Sequence, residues 1–548
     1  MAKPSRSKLW FLVHSWLAMP IWVLVFFVCA TGTIAVISQE IVWLIHPAVR
    51  AEPPGPDSVR LSYQALVDAI GAQDPRAVVQ GLSWPEESHF ALTASVSYPG
   101  GTSTQLYVNP YSGAIQGPAL DFDLRKFMRA LHGWLLVPFG HGFSWGWYLV
   151  SALAIPMLAS LVTGLVVYKR FWRAYFQKPR LRTGQGSRIF WGDFHRLSGL
   201  WSIWFVLLIS ISALWFLIQA VLADTHTTVS TEGVPTIIAR ANVPVAEGAG
   251  APRISLNQIV ARAQQALPGL DAQHVFLGGN AFDPVTILGR GDYPLMFESA
   301  QVNPYDGNVL RTRTLGDRSA LEFFTESMRP LHTGDFGGFW LKMVWFFFGL
   351  LLTMMALSGM LIWSRRTAQE TAKALKQALA KARGAGRWKF HLSALVLILP
   401  LIYLASYFKD MAMDRGEGGL GQRVIGPVQV GSWTLEFAEW EDEPPETEPA
   451  GTFKLFTMAL CEGCEREIRA VFIHTGRPRS LRTAGALFSG GPHRSFAEVL
   501  IPAGTQPGAQ FWITVEGWDG ATHSATLPIA QASPTTAQWL TKTNGMTP

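Results

Sequence analysis

The sequence Met128-Arg129-Ala130-Leu131-His132 is nearly repeated, further along the chain, as Met328-Arg329-Pro330-Leu331-His332. Each copy leads into a long apolar segment that ends in a basic run. Two more histidines open long apolar segments, in Val13-His14-Ser15-Trp16 and in Phe194-His195-Arg196-Leu197. Four imidazoles at the starts of four apolar segments are hard to explain by packing, and the pattern predicts that they share a binding role.

The composition is typical of a membrane protein with sizeable soluble parts. The chain has 548 residues, of which only 15% are charged, with 22 Trp and 33 Phe, whereas its mean hydropathy is only modestly positive. The net charge is +6, but Lys and Arg lie beside apolar runs, which favours topology signals over a nucleic-acid site. Three cysteines do not make a disulfide framework.

Five apolar segments are predicted to cross the membrane, since a span takes about 20 apolar residues. They occupy residues 10–37, 145–168, 197–222, 339–363 and 390–407. Basic residues cluster before the first span, between the second and third, and between the fourth and fifth. The positive-inside rule therefore predicts a cytoplasmic N-terminus and an extracytoplasmic location for residues 40–130, 224–330 and 410–548. The first span lacks a clear cleavage site, which favours an uncleaved helix over a signal peptide.

The chain contains an internal repeat, because residues 10–172 resemble residues 191–366. Val108-Asn109-Pro110-Tyr111-Ser112-Gly113 matches Val302-Asn303-Pro304-Tyr305-Asp306-Gly307, and His14 aligns with His195. Both halves start inside and have two spans, so they are predicted to be parallel repeats about an axis near the membrane normal. The fifth span and the tail are additions.

Each region between the spans of one repeat is predicted to fold as a helix followed by strands. Ser62 and Ser255 are plausible N-caps of helices at 62–70 and 255–267. Alternating patterns predict strands at 90–97, 105–108, 285–289 and 295–302, and the Asn-Pro-Tyr-x-Gly segments are typical of turns. In the tail, strands at 453–460, 468–473, 497–501 and 510–515 predict a small β-sandwich.

The four histidines are predicted to ligate two haems. A buried bis-histidine haem needs one imidazole from each of two facing helices at the same depth. The repeat supplies this twice, with His14 and His195 at the cytoplasmic ends of spans one and three, and His132 and His332 at the outer entrances to spans two and four. The alternative is that the histidines are interfacial anchors.

Small residues lie at matching depths of the four spans. Thr31-Gly32 and Ser212-Ala213 lie at the outer ends of spans one and three, and Thr163-Gly164 and Ser358-Gly359 at the inner ends of spans two and four. Such residues would let a flat macrocycle approach the backbone, although ordinary helix packing is an equal alternative.

Arginines near the histidines are candidate partners of the haem propionates. Arg129 and Arg329 each precede a histidine by three residues, which is one helical turn if the entrance is helical. Arg196 and Arg188 could serve the inner haem in the same way. Solvated interfacial arginines fit the sequence equally well.

Other histidines compete for these roles. His391 could replace His14 or His195, and His141 could replace His132, while His46 and His226 lie near the outer ends of spans one and three. They rank lower because the repeat does not match them.

The tail also carries a C-x-x-C motif at Cys461 and Cys464. A thiol redox pair, a metal half-site with His474 or His493, and a disulfide all fit the motif. A simple disulfide or an idle pair is favoured, because the strand–helix context usual for redox pairs is missing.

The duplicated Asn-Pro-Tyr-x-Gly turns, the Leu-His starts and the Thr/Ser-Gly pairs before a basic exit resemble the PepSY-associated transmembrane-helix family. This family includes ferric-siderophore reductases of the bacterial inner membrane that bind haem b. The resemblance implies PepSY-like extracytoplasmic lobes, two haems b, a cytoplasmic reductant or quinol as donor, and a ferric siderophore or other periplasmic acceptor. The fifth span and the tail depart from the shorter four-span pattern of the family.

We therefore predict an α-helical membrane protein with about five transmembrane helices in duplicated two-helix units, two extracytoplasmic α+β PepSY-like lobes and a C-terminal extracytoplasmic β-rich domain. The spans are predicted to lie in residues 1–40, 131–172, 191–223, 331–366 and 388–410. The lobes occupy residues 41–130 and 224–330, and the cytoplasmic loops occupy residues 173–190 and 367–387. The C-terminal β-rich domain occupies residues 411–548. The predicted function is electron transfer from the cytoplasmic side to the periplasm with reduction of a ferric siderophore, and no protein nucleophile is indicated. Two rivals are a non-enzymatic sensor or scaffold and a haem-linked thiol reductase acting through Cys461 and Cys464.

Overall fold

The computed structural model describes residues 6–53, 55, 57–140, 142–168, 171–176, 180–227, 236–246, 250–377 and 388–545. The chain divides into two compact units. The helical unit comprises Met1–Ile45, Asp121–Thr231 and Ser319–Tyr407, and the β-rich unit comprises His46–Leu120, Glu232–Arg318 and Phe408–Pro548.

The five predicted spans are confirmed as helical segments long and apolar enough to cross a membrane. Within the described chain they are Leu9–Val36, Trp145–Val167, Ile203–Asp224, Gly338–Ser364 and Leu392–Asp414. At most 28% of the most apolar window of each is buried inside the protein, as expected of helices that face lipid. We number them spans 1 to 5.

Several spans are interrupted. In span 1 a 3₁₀ turn at Met19–Ile21 separates the helices Arg6–Ala18 and Trp22–Val36, because Pro20 offers no N–H to the helical ladder. Span 2 comprises Trp145–Ala152 and Ala154–Val167. The helix Ser187–Trp201 leads into the helix of span 3, Ile203–Asp224. Span 4 is part of the continuous helix Gly338–Gln377. Span 5 consists of most of the 3₁₀ segment Trp388–Ile398 and the helix Leu399–Asp414.

His132 and His332 do not lie at the starts of spans 2 and 4, as the predicted boundaries 131–172 and 331–366 placed them. They lie on separate helices, Leu124–Trp134 and Ala320–Thr333, which we call the entry helices. A left-handed residue ends each one, Leu135 with φ 56° and Gly334 with φ 75°, and so separates it from the following span.

The two predicted lobes form a single antiparallel sheet. Its strands are β1 (Val78–Ser83), β2 (Leu92–Ser97), β3 (Ser103–Val108), β4 (Ile115–Pro118), β5 (Asp271–Phe276), β6 (Val285–Arg290), β7 (Phe297–Val302) and β8 (Val309–Arg313). They are ordered β4-β3-β2-β1-β5-β6-β7-β8. The seam pairs β1 with β5, with Leu82 opposite Val275, so the halves of the repeat share one continuous layer.

The helices Tyr63–Gln73 and Leu256–Ala266 cover one face of this sheet, and the predicted N-caps Ser62 and Ser255 are confirmed. Both helices contribute to one hydrophobic core, in which Leu66 and Ile70 are fully buried. We call the opposite side of the sheet the open face.

The helix starts are also hydrogen-bonded to each other across the repeat. Gln64 N donates to Asn257 Oδ1 at 3.1 Å, and Leu256 N donates to Gln64 Oε1 at 2.9 Å. Orphan N–H groups of each helix are therefore satisfied by the other half.

The predicted C-terminal β-sandwich is confirmed. Its strands are β9 (Arg423–Val430), β10 (Trp433–Glu439), β11 (Glu446–Glu448), β12 (Gly451–Ala459), β13 (Ile468–Thr475), β14 (Ala486–Leu487), β15 (Ser489–Gly491), β16 (Arg494–Leu500), β17 (Gln510–Gly517) and β18 (Thr522–Pro528). A six-stranded sheet orders β15-β16-β12-β10-β9 with β11 on β12, and a four-stranded sheet orders β14-β13-β17-β18. The buried rings of Phe437, Phe456 and Phe511 belong to one core cluster.

A buried ion network joins the sandwich to the preceding part of the β-rich unit. Glu516 accepts from Arg469 Nη1 at 3.0 Å and also pairs with Arg240. The side chains of Glu516 and Arg469 are 2% and 3% exposed. Both guanidinium groups lie over the ring of Phe282, at 5.0 and 5.1 Å from its centre.

Candidate functional site

The helical unit holds two pairs of neighbouring histidines, and each pair takes one imidazole from each half of the repeat. The ring centres of His14 and His195, the first pair, are 6.5 Å apart. Those of His132 and His332, the second pair, are 6.1 Å apart. The structure therefore brings together the partners that the repeat suggested.

In the first pair, both rings are oriented through Nδ1 by the second span of their own half. Nδ1 of His14 lies 3.0 Å from Thr163 Oγ1. Nδ1 of His195 lies 3.1 Å from the Met355 carbonyl and 3.0 Å from Ser358 Oγ. Because a carbonyl can only accept, His195 carries its proton on Nδ1, which leaves the Nε2 lone pair of the neutral ring available.

In the second pair, each ring is oriented by the first span of its own half. Nδ1 of His132 donates to the Val28 carbonyl at 2.8 Å, which again leaves Nε2 unprotonated in the neutral ring. Nδ1 of His332 lies 2.8 Å from Ser212 Oγ, and this hydroxyl donates to the Leu208 carbonyl. Engagement of one ring nitrogen while the other is left for a ligand is the usual arrangement of metal-binding histidine.

The three glycines predicted to admit a flat macrocycle lie against imidazole rings. A Cβ on Gly32 would lie 2.6 Å from Cε1 of His132, a distance that real Cβ contacts do not show. The same construction on Gly359 and Gly164 gives 3.3 Å to Cε1 of His195 and 3.5 Å to Cε1 of His14. These glycines thus set how closely His132, His195 and His14 pack against the neighbouring span.

Among the described residues there is no group of three or more His, Cys, Asp or Glu side chains placed to hold a metal ion. Within the described part of the chain, each histidine pair therefore offers two ligands to a metal ion.

A basic cluster accompanies the second pair. Arg129 and Arg329 lie one helical turn before His132 and His332, since the entry helices are helical throughout these positions. Partial burial, and then the positive charges of Arg329 and Arg125, lower the pKa of Arg129. Partial burial and the charge of Arg125 also lower the pKa of Arg329. Mutual repulsion of this kind favours an anion between the two helices.

Acidic residues lie close to this cluster. Asp335 pairs with Arg125 at 2.9 Å and lies 3.7 Å from Lys342 Nζ. Glu40 lies 3.6 Å from the same ammonium group. The side chains of Lys342 and Glu40 are 6% and 14% exposed, so span 4 carries a nearly buried ammonium group that the sequence patterns did not single out.

Asp193 is a second feature that sequence reasoning missed. Its buried carboxylate accepts from Arg182 Nε and Nη2 at 2.8 Å and from Arg196 Nη2 at 2.6 Å. The hydrogen bond from Arg182 lowers the pKa of Asp193 to about 2. Arg196, predicted to pair with a propionate, is therefore held by Asp193, while Arg188 lies in the first turn of the same helix. The signal in the sequence that could have revealed Asp193 is an aspartate inside a stretch rich in aromatic residues.

The competing histidines that the structure describes lie outside both histidine pairs. His46 packs against Tyr107 in the β-rich unit, with ring centres 5.6 Å apart, and His226 is exposed beyond the end of span 3 with φ 55°. His141 and the side chain of His391 lie outside the described part of the chain.

Of the three interpretations of the C-x-x-C motif, the structure has the disulfide. Cys461 and Cys464 are bonded in the loop between β12 and β13.

Comparison with known proteins identifies the family. The model of the PepSY-associated TM region matches residues 11–366, which include all four paired histidines. The chain belongs to the PepSY-associated transmembrane family. A second family model, of a conserved protein described as uncharacterised, matches residues 385–530. This second match covers span 5 and most of the sandwich of this PepSY-associated protein.

A curated relative is an uncharacterized protein of Pseudomonas aeruginosa. It is 28% identical over 269 residues, which cover 46% of this chain and 64% of the relative. Its description assigns no activity.

Proposed function

We propose that this PepSY-associated protein is a di-haem electron-transfer protein of the bacterial inner membrane that reduces a ferric siderophore. His14 and His195 would ligate one haem b, and His132 and His332 the other. By the positive-inside rule the first pair lies towards the cytoplasm, next to a soluble reductant or a quinol, and the second lies towards the periplasm.

The spacing of the rings carries this proposal. An imidazole nitrogen lies about 2 Å from a transition metal it ligates and about 1.1 Å from its ring centre, so imidazoles on opposite sides of one metal have ring centres about 6.3 Å apart. The two pairs lie at 6.5 and 6.1 Å. Both pairs take one imidazole from each half of the repeat, and their spacing leaves room for a metal held between the two rings.

The donor set also fits haem better than a free metal ion. Each pair offers two neutral imidazoles, and a porphyrin supplies the four equatorial nitrogens that complete six-coordination. When bound, the iron of such a group cycles between ferric and ferrous forms and so accepts and passes on single electrons. The protein's part is to hold the rings through Nδ1 and to set the polarity around them.

The basic cluster supports the placement of the second haem. The carboxylates of a haem are anions, and Arg129 and Arg329 present planar, permanently charged donors one turn from the ligands. Their mutual repulsion would be relieved by bound propionates, so ligand binding should stabilise this region.

The two sites lie towards opposite ends of the spans. His195 belongs to the first pair and Ser212, which holds His332, lies 17 residues later in nearly continuous helix, or about 25 Å at 1.5 Å per residue. Electrons entering at one face would therefore leave near the other. Reduction of siderophore iron to the ferrous state weakens its binding by hard oxygen ligands and releases it.

The experiment is reduction of iron across a vesicle membrane. Protein reconstituted in lipid vesicles encloses a ferric hydroxamate chelate and a ferrous-specific dye, and a membrane-impermeant reductant is added outside. We expect ferrous dye complex to form in the lumen with the unmodified protein and with His226→Ala, a histidine outside both pairs. We expect no more than the protein-free rate with His195→Ala or His332→Ala. Equal rates for all four proteins would contradict the proposal and favour a sensor or scaffold.

A further inference from the structure

A cluster of charged side chains lies inside the helical unit, where spans 1 and 4 meet. Nζ of Lys342, in the first turns of span 4, lies 3.6 Å from Glu40 Oε1 and 3.7 Å from Asp335 Oδ1. Glu40 belongs to the helix Ser38–Ile45, which follows span 1, and Asp335 follows the residue that ends the second entry helix. The cluster therefore joins span 4 to the C-terminal end of span 1 and to that entry helix.

The cluster lies beside the second histidine pair. Trp345, one helical turn after Lys342, donates its indole N–H to the Leu331 carbonyl at 3.0 Å. Leu331 immediately precedes the histidine of the second entry helix. Asp335 also pairs with Arg125 of the first entry helix at 2.9 Å. Both helices that carry the second pair are thus linked to the cluster.

The cluster is withdrawn from solvent. The side chains of Lys342 and Glu40 are 6% and 14% exposed. Both carboxylate oxygens of Glu40 are buried, and neither has a hydrogen-bond partner among the described residues. Such burial is costly, and an ionisable residue inside a membrane span usually has a function. Water screens these charges only weakly, so they act on their surroundings more strongly than surface charges do.

The duplicated fold does not require charged residues at these positions. By the offset of the Thr/Ser-Gly pairs in spans 2 and 4, Lys342 corresponds to Trp147. By the offset that aligns the two histidines of the first pair, Glu40 corresponds to Val221. The repeat thus has an aromatic and an aliphatic residue where the cluster has an ion pair. The ion pair therefore calls for an explanation other than folding of the repeat.

We propose that Lys342 raises the reduction potential of the haem at the second pair and that Glu40 limits this increase. The proposal rests on the proposed function and concerns the regulation of that site. Reduction adds one negative charge to a haem, which a nearby cation stabilises and a nearby carboxylate destabilises. Transfer of one electron from the iron at the first pair to the iron at the second oxidises the former and reduces the latter. No proton moves and no bond is broken, so a higher potential at the second pair favours transfer in this direction.

The test is a spectroscopic redox titration of the second haem by itself. Full-length protein with His195→Ala, in neutral detergent, carries haem at the second pair alone. In this background we expect Lys342→Gln to favour the ferric form about tenfold, which lowers the potential of a one-electron couple by about 59 mV. This is the effect of a unit charge about 12 Å away at an effective dielectric constant of about 20. Glu40→Gln should raise the potential, and Lys342→Arg, which keeps the charge, should leave it nearly unchanged.

Lys126→Gln is the matched control. Lys126 lies on the first entry helix and pairs with Asp123 at 3.8 Å, but its side chain is 67% exposed. Solvent screens such a charge, so its loss should move the potential much less than the loss of Lys342 does. In a His332→Ala background, which keeps haem at the first pair, Lys342→Gln should likewise have a much smaller effect.

The signs of the shifts distinguish an electrostatic role from a structural one. Structural damage by either change would expose the haem to water and move the potential in one direction for both variants. Shifts of the same sign for Lys342→Gln and Glu40→Gln, or shifts no larger than that of Lys126→Gln, would overturn the proposal. If Lys342→Gln retains no haem, Glu40→Gln decides, since a raised potential supports the proposal and an unchanged or lowered one overturns it.

Haem content of the same samples separates this proposal from the proposed function. Haem whose potential does not respond to Lys342 and Glu40 overturns the present proposal and leaves the proposed function standing. Unmodified protein that folds without haem overturns both.

Discussion

At the scale of single residues, the site depends on which atom holds each imidazole. His195 has two partners for Nδ1, the Met355 carbonyl and Ser358 Oγ, whereas the partner of His332 is Ser212 Oγ. A substitution keeps the backbone carbonyl of a residue but removes its side-chain hydroxyl. The two pairs should therefore respond differently to loss of the corresponding serine.

We expect Ser212→Ala to weaken haem binding at the second pair by at least about tenfold, the usual effect of removing a partner of a metal-ligating histidine. Ser358→Ala should have a smaller effect at the first pair, because the Met355 carbonyl still orients His195. Haem retention during gel filtration of the two variants measures this. Equal losses would show that the hydroxyls do not act through the rings.

Gly32 gives a second test at this scale. Ala is a better helix former than Gly by about 1 kcal/mol, so Gly32→Ala favours the helix itself. Its Cβ would nevertheless lie 2.6 Å from His132 Cε1 and must displace the ring. We expect the second haem to be lost while the protein stays folded.

Gly164→Ala is the matched control, since its Cβ would lie 3.5 Å from His14 Cε1, an ordinary contact. It should keep both haems in the same haem assay. Full haem content in Gly32→Ala would mean that the close packing on His132 has no role in the site.

At the scale of helices and strands, the sequence predicted what is periodic and locally capped. The five spans, both N-caps and four of the sandwich strands, β12, β13, β16 and β17, followed from hydropathy, serine positions and alternation. In the eight-stranded sheet, strands β1, β4, β5 and β8 were missed. For β5 the reason is that its start, Asp271-Ala272-Gln273-His274, does not look apolar, although its core position Ala272 is buried. The seam between lobes depends on this pairing, which local pattern does not encode.

The entry helices show the same limit. The apolar pattern merges His132 with span 2, whereas the structure ends that helix at Leu135, a non-glycine residue with φ 56°. Left-handed leucine is rare, so no local rule predicts the break. Leu135 is fully buried, and burial of its side chain offsets the backbone strain.

The ion network between the sandwich and the preceding segment gives an element-scale prediction. Glu516→Ala leaves Arg469 buried beside Arg240 without its carboxylate partner, which typically costs 3–5 kcal/mol. We expect a lower midpoint in thermal unfolding of the full chain, followed by tryptophan fluorescence. Glu448→Ala, in the exposed strand β11, should leave the midpoint unchanged, and an equal midpoint in Glu516→Ala would contradict the structural role.

At the scale of the whole molecule, duplication explains the arrangement. Each half orients one histidine of the first pair and one of the second, and each pair is completed only by the other half. The repeat therefore predicted which histidines meet, but not how they are held. Met355 and Val28 act through their carbonyls, which no side-chain pattern reveals, and the pairing of Asp193 with Arg182 depends on how the preceding loop folds back.

Haem content of the purified protein tests the central claim most directly. We expect two haems b per chain by pyridine haemochrome assay, with the absorption of low-spin six-coordinate iron, and one haem per chain in each of His195→Ala and His332→Ala. A protein that folds in the membrane without haem, or histidine variants that keep two, would contradict the assignment of both pairs.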